Sequence, residues 1–247
     1  MRIAGGAKTG LFEPAWPPGV PARAELKLIG RNEVSVWGEF ALAGHRIAQV
    51  VWGPKGGLLS ERHFDAKGRP HGLEISRHED GSVEWQVPWV RGQMHGVARQ
   101  RDSKGHDLYR SRFFRGAGVD LWVLGDAITE FREHSNNQLH GIERWGHPLW
   151  PHEEGHYLGG KRAGIFRRWK GATLEKGYPR YFVDDQEVNS TRYVQVWRLR
   201  AELPRDLRGD DHRDRQLPPS LQLVWLRKEV RERLVRKPSS IEEIGCG

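Results

Sequence analysis

Arg91-Gly92-Gln93-Met94-His95-Gly96 is a phrase that this chain repeats, and its recurrence decides the fold class. It stands earlier as Lys67-Gly68-Arg69-Pro70-His71-Gly72, then as Asn136-Asn137-Gln138-Leu139-His140-Gly141 and Gly159-Gly160-Lys161-Arg162-Ala163-Gly164. His71 and His95 are 24 residues apart, His140 and Ala163 are 23 apart, and the degenerate copy Arg115-Gly116-Ala117-Gly118-Val119-Asp120 sets Gly116 24 residues after Gly92. A period of about two dozen residues marks a repeat architecture.

The residues around the phrase say what one unit is. Val83-Glu84-Trp85-Gln86-Val87-Pro88-Trp89-Val90 alternates apolar or aromatic with polar residues, and Val97-Ala98-Arg99-Gln100 resumes after the phrase. Period-two alternation rich in aromatic and β-branched residues predicts half-buried strands. The Gly-x-x-His-Gly core, whose glycines tolerate positive φ, predicts the hairpin turn between them. A second punctuation, Asp80-Gly81 and Lys104-Gly105, falls midway between successive phrases. Each unit is thus strand, turn, strand, turn. A lone hairpin cannot bury its apolar face, so neighbouring units must share one sheet and core.

The stretch Glu154-Gly155-His156-Tyr157-Leu158-Gly159-Gly160-Lys161-Arg162-Ala163-Gly164-Ile165-Phe166 resembles the MORN-like repeat (the second MORN variant), which runs aromatic, two residues, Gly, two residues, His-Gly, then a strand. Trp89, Phe113 and Tyr157 each stand three residues ahead of the Gly, as that pattern asks. The resemblance covers Gly57 to Tyr193. Its copies depart from the pattern where Gly118-Val119-Asp120 lacks His-Gly, where Ala163 replaces the His, and where Asn137 stands for the leading Gly. Bacterial proteins of this kind include the YwqK-type antitoxin or immunity family, so the resemblance implies a non-catalytic protein that binds a partner, possession of the repeat alone not fixing function.

Taken together these readings predict a mainly β, elongated antiparallel hairpin-repeat sheet followed by α-helical elements. Residues 1–56 read as a lead-in with short capping strands, 57–189 as the repeat domain, and 190–247 as helices with a charged linker. Prolines at 14, 17, 18 and 21 make the first stretch extended, and short runs closing at Gly30, Gly38 and Gly53 read as a cap or as eroded repeats. Asn189-Ser190-Thr191 predicts an N-cap for a helix carrying Tyr193, Val194, Trp197 and Ala201 on one face up to Pro204. A last helix is expected from Ser220 to Lys237, with Leu223, Leu226, Val230 and Leu234 at helical spacing, packed on the final repeat.

Composition narrows the function classes. Mean hydropathy of −0.72 and 37% hydrophobic residues are low for a thick core but suit a thin sheet whose eleven Trp and eight Phe each cover a large area. No run of eighteen apolar residues predicts a membrane span, the first residues lack a signal-peptide core, and one cysteine, Cys246, allows no internal disulfide, so a cytoplasmic site is expected. A formal net charge of +8 favours acidic partners, with nucleic acid or anionic lipid meeting Arg227, Lys228, Arg231 and Arg233 as the alternative function. The basic residues are interleaved with acids, which a merely solvated face explains equally well.

Candidate sites follow the same logic. His152-Glu153-Glu154-Gly155-His156 matches the H-E-x-x-H zinc pattern, but that chemistry needs a helix, whereas Gly155 and the following Gly159-Gly160 place the segment in a strand. His71, His95 and His140 at equivalent turns would lie about 10 Å apart, too far to share a metal, so a hydrogen bond to the neighbouring turn is their expected use. The repeat-turn residues are Gly68, His71, Gly72, Gly92, His95, Gly96, Gly116, His140, Gly141, Gly160 and Gly164. The partner-binding candidates are Trp145, Trp150, Tyr157 and Trp169 with Arg167 and Arg168, aromatics and Arg being the usual interface anchors, although each ring could equally serve the sheet's own core. No nucleophile, base and orienter constellation is present to suggest an enzyme, and no cofactor is called for.

Overall fold

The structure, a computed structural model, describes residues 13–146, 152–205, 211 and 219–235. It is mainly β, built of consecutive antiparallel hairpins with a few short helical segments after them. Two compact units emerge. One comprises residues up to Val119 with His134–Gln138, and the other comprises Asp120–Glu133 with Leu139 onward.

In the first unit β1 (Glu25–Arg31), β2 (Val36–Leu42), β3 (His45–Trp52), β4 (Leu58–His63), β5 (Gly72–Arg77), β6 (Val83–Val90), the short β7 (Gln93–Met94), β8 (Gly96–Arg101) and β9 (Asp107–Phe113) follow one another in sequence order, each pairing antiparallel with the next, β6 with both β7 and β8. The strands before Gly57 therefore continue the same sheet, β3 pairing directly on β4. The described part of the proline-rich lead-in, from residue 13, forms no helix or strand, but it covers them: Trp16 stands edge-on to Phe40, the Trp52 indole N–H donates to the Ala15 carbonyl at 2.7 Å, and Val20, Ala24, Leu26, Val36, Ala48 and Val50 complete this core. A second core gathers Val87, Met94, Ala98 and Phe113 with Trp85 and Trp89.

In the second unit the sheet order is β10 (Gly118–Leu124), β11 (Ala127–Ser135), β12 (Gln138–Trp145), β13 (His152–Leu158), β15 (Gly164–Lys170), β17 (Arg180–Val183) and β18 (Gln186–Val188), with β14 (Lys161–Arg162) on β13 and β16 (Thr173–Leu174) on β15. Helix α1 (Ser190–Trp197) begins as the sequence predicts, the Asn189 side chain accepting the Arg192 N–H at 2.8 Å. Its buried Tyr193 packs with Ala163, Ile165 and Leu203. The expected single helix from Ser220 is instead a 3₁₀ turn (Pro219–Leu223), a two-residue strand β19 (Trp225–Leu226) and a short helix α2 (Lys228–Val235). Leu223, assigned by spacing to a helical apolar face, is 79% exposed, and the β-favouring Val224-Trp225-Leu226 interrupts the pattern.

The repeated phrase resolves into two devices. First comes a tight two-residue turn with both residues in the left-handed region, as at Arg91-Gly92 (φ 51° and 87°), Arg115-Gly116 (49° and 77°), Asn136-Asn137 (51° and 61°) and Gly159-Gly160 (57° and 79°). This is the type I′ geometry that suits strand twist. Second comes a bulge at His-Gly: Trp89 pairs with Met94, yet Gln86 pairs with Arg99, so the four residues His95 to Ala98 face only Val87 and Pro88, while the His95 N–H still donates to the Pro88 carbonyl at 2.9 Å. The bulge turns the His toward the next turn. The N–H groups of Arg91, Arg115 and Gly159 donate to Nδ1 of His71, His95 and His140 respectively, at 3.3 Å in each case. Backbone bonds run alongside, from Gly92 N–H to the Pro70 carbonyl, Gly116 to Met94 and Gly160 to Leu139, each at 2.8 Å.

The irregular copies now have reasons. Asn137 uses an αL-tolerant side chain in place of Gly, and its amide accepts the Met94 N–H at 2.9 Å and donates to the Gly92 carbonyl at 2.7 Å. Asp185 serves likewise, accepting the Arg162 N–H at 2.9 Å. Ala163 replaces His because its position is buried in the core completed by Tyr193 and Leu203. The midway turns are three- to four-residue loops closed by His78 to Gly81 and Asp102 to Gly105, and the first copy of the phrase, at Gly68, uses the same kind of loop, closed by Asp65 to Gly68, in place of the I′ turn.

Two expectations follow. His95→Ala removes the acceptor for the Arg115 N–H and should lower stability by about 0.5–1.5 kcal/mol in urea unfolding. Gly116→Ala should cost more than Gly81→Ala: both require positive φ, but a Cβ at Gly116 would meet the Asn137 nitrogen at 2.5 Å, whereas none is met within 4 Å at Gly81.

Candidate functional site

Strand alternation sorts the second unit's side chains onto two faces. Registers pair Glu143 with Gly155, Trp145 with Glu153, Glu153 with Arg168, and Phe166 with Arg180. Trp145, Glu143, Glu153, Tyr157, Phe166, Arg168, Arg180 and Phe182 therefore share one face. Glu154, His156, Ile165, Arg167 and Trp169 point to the other.

The second of these faces is buried. Arg167 and Trp169 are 1% and 2% exposed. The Arg167 Nε–H donates to Asp211 Oδ1 and the Trp169 indole N–H to the Asp211 carbonyl, both at 2.8 Å. Glu154, also buried, receives Arg144 and has Arg167 3.7 Å away. Arg167 and Trp169, offered by the sequence as exposed anchors, are thus structural: period two sends them opposite to Phe166 and Arg168. Trp150 lies outside the described residues.

The first face is aromatic and partly open: Trp145 is exposed, Tyr157 and Phe166 are half-buried, and Phe182 is buried beneath its neighbours. Tyr157, Phe166 and Phe182 stack edge-to-face across three strands, with ring centres 5.4 and 4.8 Å apart. Gly155 makes this close packing possible, since a Cβ there would meet the Phe166 ring at 2.3 Å. The Arg162 and Arg180 guanidiniums lie over Phe182 at 4.3 and 5.4 Å, and each is bound to a carboxylate, Asp185 and Glu187. Trp145, 42% exposed, carries the Arg132 guanidinium 4.4 Å from its ring centre. Trp145, Tyr157, Phe166 and Phe182, with Glu143, Glu153, Arg162 and Arg180, line a concavity of about 240 Å³. Burial, helped by the Glu143 carboxylate that accepts its hydrogen bond, pushes the Tyr157 phenol up to about 12, so it remains a neutral donor.

Of the sequence candidates, Trp145, Tyr157 and Arg168 therefore meet on one surface. Arg132, Glu143, Glu153, Phe166, Arg180 and Phe182 join them without having been singled out; alternation counted from Tyr157 does not carry across the turn to Phe166, and only cross-strand register places it on this face. H-E-x-x-H lies wholly in β13. On a strand two residues four apart are about 13 Å distant, which cannot chelate one zinc. His156 instead donates from Nδ1 to the Ile165 carbonyl at 3.0 Å. Among the described residues no three His, Cys, Asp or Glu gather as a metal-holding group.

The basic C-terminal candidates are internally compensated. Arg227 meets Glu229 at 3.5 Å and Lys228 meets Glu232 at 3.8 Å, while Arg231 is exposed. For Arg233 only the backbone, within α2, is described.

Burial depresses the His156 imidazole to about 4, outweighing its carbonyl hydrogen bond. The unfolded chain then binds a proton near pH 6.5 that the folded chain refuses until about pH 4, so stability should fall as pH drops through that window. Part of the residue remains exposed, which sets the loss at about 1–2 kcal/mol. Thermal melts of the protein and of His156→Gln between these pH values check it: the variant should show the shallower slope.

The chain matches no protein-family model and no curated protein. A solved structure described as the crystal structure of accessory secretory protein 1, 2 and 3 in Streptococcus pneumoniae is similar over 47% of this chain and 22% of that one, at 18% identity and a TM-score of 0.28. A likeness so slight carries no argument about fold or partner. Among the described residues no helix is long and apolar enough to cross a membrane.

Proposed function

We propose that this chain is a MORN-like repeat protein of the antitoxin or immunity type, a non-catalytic cytoplasmic binder that neutralises or scaffolds a partner protein through the open face of its second sheet. The observation that carries the reading is that face itself: exposed Trp145 beside the stacked Tyr157, Phe166 and Phe182, framed by arginines held in place by carboxylates. Rings and guanidiniums already ordered by their neighbours lose little freedom when a partner docks, which is what makes them effective anchors. The recurrent His-Gly bulge and I′ turn support the repeat resemblance independently. Binding of a polyanion through Arg227, Lys228, Arg231 and Arg233 is supported less, because Glu229 and Glu232 offset the cations beside them.

The test is capture from an extract of the protein's own cells, at high salt and after nuclease treatment. One protein should be retained stoichiometrically, and Trp145→Ala should weaken the purified pair by about 2 kcal/mol, roughly thirtyfold. Release of all retained material by salt or nuclease would overturn the proposal and favour a polyanion site.

A further inference from the structure

The first unit carries a concavity of its own, on the side of β2 to β4 turned away from the core that the lead-in covers. Registers run one cross-strand row from Trp37 through Val51, Ser60 and Ser76 to Trp85. Directly opposed residues point to the same side of a sheet, so this row is a trough with a tryptophan at each end and two small serines in its floor. Ile29, the extra residue of the bulge between Leu28 and Gly30, is 49% exposed and adds a further wall. Trp37 lies against Gly30, where a Cβ would stand 3.3 Å from its ring. From the next row Gln49, Arg62 and Glu74 close the hollow, whose volume is about 250 Å³.

The lining is polar yet electrically balanced. Glu74 is bonded to Arg62, and Glu61, which points to the opposite side of the sheet, is bonded to Arg77. In the neighbouring row Glu39 is answered by Arg46 at 3.0 Å, with Lys27 across the ladder from it. Glu74 also accepts the Trp89 indole N–H at 2.8 Å, and the Gln49 amide donates to Glu39 at 2.9 Å, so these planar groups are ordered before a ligand arrives. Among the described residues none is hydrogen-bonded to the Ser60 or Ser76 hydroxyl or to the Trp37 indole N–H, and the Arg62 Nε–H is buried without an acceptor.

We infer that this hollow binds a neutral, hydroxyl-rich ligand, one or two rings of a carbohydrate, with a sugar face laid on the Trp37 indole. The weakly positive C–H face of a pyranose complements the negative face of an aromatic ring. Its hydroxyls, which both donate and accept, match the two serine hydroxyls, the indole N–H and the Arg62 Nε–H. Balanced charge in the lining offers an ionic ligand no net attraction. The volume of about 250 Å³ lies just below that of sites for drug-sized ligands, about 300–1,000 Å³, and a concavity with a few convergent polar groups is the usual form of a small-molecule site. This site lies in the first unit and stands independently of the protein-binding face proposed above.

The experiment titrates the intact, isotope-labelled chain with cellobiose, maltose and N,N′-diacetylchitobiose, with adenosine as the rival ring-bearing ligand, and follows the indole N–H resonances. The signal missing from the Trp37→Phe spectrum identifies Trp37. At least one disaccharide should move it. Ser60→Leu and Ser76→Leu, which fill the trough, should each weaken that binding by about tenfold while the melting curve stays that of the parent. Gln49→Ala, which removes a polar wall and fills nothing, should weaken it severalfold. A Trp37 signal that no disaccharide moves would overturn the inference, as would leucine variants that bind as tightly as the parent. So would a signal that answers to adenosine and to no sugar.

Discussion

A hydrogen bond between successive turns is the constraint on which the sheet depends. Hairpins in an antiparallel sheet are tied by their ladders, but the turns at one edge ordinarily leave N–H groups to water. Here the I′ turns at Arg91, Arg115 and Gly159 each hand their first N–H to a histidine of the preceding unit and their second to a backbone carbonyl close to that histidine, and the turn at Asn136 hands the Asn137 N–H to the Gly116 carbonyl. The phrase must therefore contain a left-handed pair, then two strand residues, then the bulged His-Gly. One bond of this kind contributes about 1 kcal/mol, but its recurrence makes the energy cumulative along neighbouring units.

That constraint explains the departures as well as the repeats. Asn137 and Asp185 preserve the connection with side-chain oxygens where the glycine or histidine has been given up. Ala163 abandons it because its position belongs to a different interaction, the core closed by Tyr193 and Leu203. On the same strands, period two divides labour between faces: Arg167, Trp169 and Glu154 build a buried network with Asp211, while Phe166 and Arg168 one residue away build an open surface. A thin sheet can thus be well packed on one side and available on the other.

Much of this was legible in the chain. The period, the hairpins, the structural use of His71, His95 and His140, and the strand conformation of His152-Glu153-Glu154-Gly155-His156 all follow from local patterns, since turn chemistry and alternation are short-range. Sidedness was harder. Trp145, Tyr157 and Trp169 look alike in a list of aromatics, and only cross-strand register separates Trp169 from the other two. The grouping of Asp120, Glu130 and Glu143 around Arg132 draws on three strands, which no single segment discloses. The segment after Pro219 misled because Leu223 and Leu226 satisfy a helical spacing while the intervening Val224-Trp225 favours extended backbone.

The account's central claim is that the turns are bonded to one another, and amide hydrogen exchange reads that directly. The N–H groups of Arg91, Gly92, Arg115, Gly116, Gly159 and Gly160 should be protected well above those at the loop tips Ala66, Glu79 and Ser103, even though all of these lie in turns. Exchange at the six residues as fast as at the three tips would contradict it.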